Sequence, residues 1–137
     1  MDFEDRTDPP GVARLTTPCD GCVEVVFEGA VDGRVVKSAV TRLRTIARQR
    51  SVLYLLVDGT KIGTYDGTVR DEGKELLSIV REQGGREVVM VLSSAVHRLL
   101  GATVAMMVRV PIKIFATRHE ALDYIQRELT SFPAARR

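Results

Sequence analysis

The chain has 137 residues, 45% of them hydrophobic, and its 20 Lys and Arg against 18 Asp and Glu leave a net charge of only +2. That is the length of one domain, with enough apolar material to bury a core without help from metal or disulfides. Trp is absent and aromatics make up 5%, which excludes a base-stacking surface for single strands, and the small charge excludes a dedicated nucleic-acid binder. No apolar run approaches bilayer length. The acidic start Met1-Asp2-Phe3-Glu4-Asp5 has no apolar h-region, so neither membrane insertion nor a secretory signal is expected. The expectation is a soluble cytoplasmic protein, without cofactor or metal, in a compartment that keeps thiols reduced.

Residues 1–11 carry charges and Pro9-Pro10 but nothing to bury, and read as a disordered leader. A single domain is then expected over 12–130, followed by a frayed tail over 131–137. Val12 to Thr17 and Val23 to Glu28 are β-prone runs joined by Pro18-Cys19-Asp20-Gly21-Cys22, and Asp-Gly is a two-residue hairpin signal. From Val31 the period becomes helical through Val35, Val36, Ala39, Val40, Leu43, Ile46 and Ala47, with Asp32 as cap. Arg34, Lys37, Thr41, Arg44 and Arg48 share that helix and read as a solvated outer face.

The next strand, Val52 to Val57, stops at Asp58-Gly59, and a polar loop leads to a helix over Thr68 to Glu82 closed by Gly84-Gly85. Glu87 to Leu92 is a further strand. Ser93 and Ser94 cap a helix with Val96, Leu99, Leu100, Val104, Met107 and Val108, which Pro111 stops. Met106-Met107 reads as core filler. Gly73 and Gly101, inside helices at about 1 kcal/mol each relative to Ala, point to close approach of a neighbouring element. Ile112 to Phe115 is a short strand, and Thr117-Arg118-His119-Glu120 matches a capping box opening a last helix with Leu122, Ile125 and Leu129. The order β-β-α-β-α-β-α-β-α predicts an α/β fold: a mixed, mostly parallel five-stranded sheet with an N-terminal hairpin and four helices.

This order, with Asp66-Gly67-Thr68 opening the second helix, resembles the STAS domain over about Val12 to Leu129. That fold is shared by sulfate-transporter cytoplasmic domains and bacterial anti-sigma factor antagonists such as the sporulation anti-anti-sigma factor. The family's mark is Asp-Ser-Ser-Gly or Asp-Ser-Thr-Gly at the start of the second helix, after a strand ending in Asp. Here Asp58 matches the strand-end Asp, Asp66 the motif Asp and Thr68 the phosphorylatable hydroxyl. Gly67 stands where the first Ser would be and Val69 replaces the Gly. The resemblance implies a non-enzymatic regulatory module that docks a cytoplasmic protein, of anti-sigma factor or regulatory kinase type, and is switched by phosphorylation of Thr68. Asp58, Thr60, Thr64, Asp66, Gly67 and Thr68 form the candidate partner or ligand surface, with Thr60 and Thr64 as rival modification sites.

Each of these residues also has a plain structural use: Thr68 and Asp66 as caps of the helix, Asp58 as an anchor of the loop. Two other functions fit the chain. One is a sensor of the same fold binding a nucleotide or other small anion at the strand ends. The other is a thiol oxidoreductase through Cys19 and Cys22, although that pair lies in a hairpin turn, where no helix start activates a thiol. His97 and His119 have no Cys or carboxylate at ligand spacing. The sequence sets no oligomeric state.

Overall fold

The computed structural model describes residues 9–131. The first eight residues of the predicted leader and 132–137 of the predicted tail lie outside them. The elements are β1 (Val12–Cys19), β2 (Cys22–Val31), α1 (Gly33–Gln49), β3 (Tyr54–Tyr65), α2 (Thr68–Glu82), β4 (Glu87–Val91), α3 (Ala95–Val108), β5 (Ile112–Phe115) and α4 (Arg118–Ser131). The five strands pair in chain order, β1 antiparallel to β2 and the rest parallel. Asp20-Gly21 forms the hairpin turn, with Gly21 at φ 88° and Cys19 opposite Cys22.

Each parallel crossover steps one strand in the same direction, so right-handed connections place α1, α2 and α3 on one face of the sheet. Strand alternation then divides the apolar runs. Val23, Val25, Leu55, Val88 and Met90 pack under α1–α3, and Cys22, Tyr54, Leu56, Val89 and Val91 pack under Ala121 and Ile125 of α4. Both faces of the central strands are covered, which is why those strands read as unbroken apolar runs.

Three features differ from the sequence reading. First, β3 does not end at Asp58 but runs on to Tyr65, pairing Lys61–Tyr65 with the distal half of β2. Asp58-Gly59 marks a bulge rather than an end: β2 advances from Val26 to Glu28 while β3 advances from Asp58 to Lys61. The Asp58 carboxylate accepts from both the backbone N–H (2.9 Å) and the hydroxyl (2.7 Å) of Thr60, holding the extra residue in place. Second, Pro9 to Gly11 do not lead away from the domain. Ala30 donates its N–H to the Pro9 carbonyl at 3.0 Å, and a Cβ on Gly11 would lie 1.9 Å from the Ala30 oxygen, so only glycine allows this approach. Third, Met106 and Met107 are exposed at 78% and 52%, not core filler.

Three of the predicted caps are in place, at Asp32, Ser94 and Thr117. Asp32 accepts from the N–H groups of Arg34 and Val35, Ser94 from His97, and Thr117 from Glu120. On the outer face of α1, Arg44 reaches across to Glu75 and Glu82 of α2, both at 3.2 Å. Such exposed pairs are worth less than about 1 kcal/mol each.

Glu24 is the principal buried charge, 2% exposed on the α4 face of β2. Arg118, the first residue of α4, grips it with two hydrogen bonds of 2.6 and 2.8 Å, and Thr16 adds a third of 3.4 Å. Replacing Arg118 with Ala leaves that carboxylate buried without its cation. The expected loss is about 2 kcal/mol, below the value for a fully enclosed pair because Arg118 is itself half exposed. Urea denaturation of R118A measures it, and an unchanged midpoint would contradict the assignment.

Candidate functional site

Helices that leave parallel strands begin at the strands' carboxyl ends, so the loops before α1, α2 and α3 line one rim. The first N–H groups of each helix have no intrahelical acceptor. In α1 these are satisfied by two side chains from different loops: Asp32 takes Arg34 and Val35, and the Thr68 hydroxyl oxygen accepts the N–H of Gly33 at 2.7 Å. Thr68 in turn donates its hydroxyl proton to the Asp66 carboxylate, which also accepts the Thr68 backbone N–H at 2.9 Å. Thr68 is therefore not the cap of its own helix. That position is Gly67, which makes no side-chain cap bond. The hydroxyl instead ties the start of α2 to the start of α1 while remaining exposed.

Gly33 completes this junction, and sequence reasoning missed it. A Cβ there would stand 3.0 Å from both Cβ and Oγ1 of Thr68, tighter than ordinary packing. The available signal was a glycine directly after a capping Asp, but its partner lies 35 residues away in the chain.

Around Thr68 lies a depression of about 440 Å³ lined by Asp32, Gly33, Arg34, Lys37, Asp66, Thr68, Asp71 and Glu72. Four carboxylates thus face two cations. Arg34 is paired with Asp32 at 3.3 Å. The Asp32 carboxyl is held below its usual range, first by the Val35 backbone N–H and then by Arg34. Of the predicted surface residues, Asp66 and Thr68 line this depression. Gly67 sits beside it, where a Cβ would meet nothing within 4 Å. Asp58, Thr60 and Thr64 lie instead along the extended β3, with Asp58 buried.

The architecture matches solved structures. The anti-sigma factor antagonist SpoIIAA in its unphosphorylated form aligns with TM-score 0.60 at 19% identity, over 84% of this chain and 98% of that one. An uncharacterized Shewanella loihica protein described as having a SpoIIAA-like fold gives TM-score 0.60 at 11% identity, over 85% and 95%. This protein has the STAS-like fold. An anti-sigma factor antagonist from Mycobacterium paratuberculosis aligns with this STAS-like chain at TM-score 0.57 and 13% identity, over 85% and 95%. No family model and no curated protein matches the sequence.

The remaining candidates lie elsewhere on the STAS-like scaffold. Cys19 and Cys22 face each other across the hairpin turn as free thiols. Burial pushes both above the usual thiol range, Cys22 the further because it is the more deeply buried, with Cys19 adding to the effect. His97 packs edge-on to Tyr65 with ring centroids 5.3 Å apart. His119 does have a carboxylate neighbour one turn on, Asp123 at 3.5 Å, on the exposed side of α4. No group of three metal-ligating side chains occurs among the described residues, and none of their helices is long and apolar enough to cross a membrane.

A raised thiol pKa keeps both sulfurs protonated at neutral pH, and only the thiolate is a nucleophile. Alkylation of the folded protein by iodoacetamide at pH 7, followed by mass spectrometry, is therefore expected to run slower than that of a free cysteine and to accelerate as pH rises. Cys22 should lag Cys19. Rapid modification of Cys22 at pH 7 would contradict the burial argument.

Proposed function

We propose that the protein is a non-enzymatic regulatory module of the anti-sigma factor antagonist type. Its rim around Thr68 docks a cytoplasmic protein partner, either an anti-sigma factor or a regulatory kinase. Phosphorylation of Thr68 releases that partner. The observation that carries this reading is the exposed Thr68 hydroxyl held between Asp66 and the Gly33 N–H at the meeting of two helix starts.

A kinase can reach that oxygen without unfolding the domain. Phosphorylation removes the proton that Asp66 accepts and adds roughly two negative charges to a rim already carrying four carboxylates. The Gly33 N–H and the positive ends of α1 and α2 help hold the group in place, with Arg34 and Lys37 in reach of the same depression. The modification therefore acts on the surface a partner meets and leaves the core alone. The same four carboxylates weigh against the rival reading of a nucleotide or other anion at the strand ends. The protonated thiols weigh against an oxidoreductase.

The test compares wild type with Thr68→Ala and Thr68→Glu in affinity capture from the source cell, with phosphate mapped by mass spectrometry. Thr68→Ala is expected to retain the partner and to resist phosphorylation, while Thr68→Glu lowers capture at least tenfold, about 1.4 kcal/mol. Equal capture by Thr68→Glu and wild type, with no phosphate on Thr68 in either state, would refute the switch.

A further inference from the structure

The sheet face under α1–α3 is not fully closed. Between α2, α3 and β3 lies a cleft of about 110 Å³ whose wall is almost entirely hydrocarbon, from residues such as Val57, Leu77, Leu92, Leu100 and Val104. Val57 stands on an interior strand, paired on both sides, yet it is only half-buried although it packs against the core. The cleft is open to solvent on one side; an enclosed apolar cavity of about 150 Å³ with such a lining stays dry and takes up benzene.

Two glycines face this space from adjacent helices, Gly73 in α2 and Gly101 in α3. Gly101 lies against the sheet, since a Cβ there would come within 2.6 Å of the Met90 sulfur. Gly73 is different. A Cβ at that position would meet nothing nearer than Val104 at 3.7 Å, an ordinary contact. Sterics do not require glycine in mid-helix here, yet the side chain that would fill the cleft is missing. The wall carries no charged side chain. Tyr65 and His97, whose rings meet edge-on, line it through ring carbons.

We propose that this cleft is a binding site for a small uncharged apolar molecule, a single ring or a short alkyl chain. The absence of a cation or carboxylate in the wall excludes ionic ligands, because a charge moved there would lose its water without gaining a partner. This inference is independent of the Thr68 reading, and either can fail alone.

The probes are benzene and 1-hexanol, titrated into the full-length protein and followed by methyl-resolved NMR and thermal melting. Saturable shifts are expected at the methyl groups of Val57, Leu77, Leu92 and Val104, with Tm rising as probe is added. In Gly73→Leu the added side chain occupies the cleft, so affinity should fall at least tenfold while circular dichroism remains that of wild type. Val57→Phe, which fills the cleft from the sheet side, replaces it if Gly73→Leu does not fold. A Leu99→Ser, Met106→Ser double variant on the exposed face of α3 should bind as wild type does. The proposal is overturned if wild type gives no saturable shifts at those methyl groups. It is equally overturned if the filled variant binds undiminished, or if the outer-face variant loses binding.

Discussion

Every parallel connection in this protein moves one strand along in the same sense, and much else follows from that constraint. It puts three helices on one face of the sheet and brings their N-terminal ends to one rim. Three neighbouring helix starts concentrate unsatisfied N–H groups and the positive ends of three dipoles along that edge. The chain answers with side-chain acceptors: Asp32, Asp66 and Ser94, and the Thr68 hydroxyl shared between two helices. The exposed hydroxyl is thus first a structural acceptor. Its accessibility follows from serving a helix start at the surface, where any group that meets those N–H donors must sit.

The opposite face is organised differently. A single helix, α4, covers it, and the contact combines the apolar pair Ala121 and Ile125 with an enclosed carboxylate held by the helix's own first residue. Hydrophobic burial does not fix the rotation of a helix on a sheet, whereas a two-pronged guanidinium grip does. Glu24 and Arg118 therefore set the register of α4, and the Thr117 hydroxyl, which accepts the Glu120 N–H, fixes where that helix begins.

Most elements were legible because their signals are local. α2 and β5 occupy the spans read from periodicity and punctuation, and the caps at Asp32, Ser94 and Thr117 were visible as residue types next to apolar repeats. The length of β3 was not legible. Asp58-Gly59 carries the same local signal for a turn as for a bulge, and what decides is the pairing of Lys61–Tyr65 with β2, which lies far off in sequence. The site was half legible for the same reason. Asp66 and Thr68 could be singled out from their positions at a helix start, but the Gly33 contact that gives the hydroxyl its second partner is long-range. Gly73 and Gly101 gave one signal in sequence and proved to be two situations, one pressed against Met90 and one facing open space.

The clasp between Pro9 and Ala30 reaches further than its single hydrogen bond. Ala30 is two residues from Asp32 and three from Gly33, so the backbone that presents the α1 start to Thr68 is anchored from behind by Pro9. Engineering of Pro9 to Gly11 is therefore not neutral for this protein. A truncation past Gly11, or a bulky graft within Pro9 to Gly11, would slacken the platform on which the threonine rests, although nothing at the rim itself had been altered.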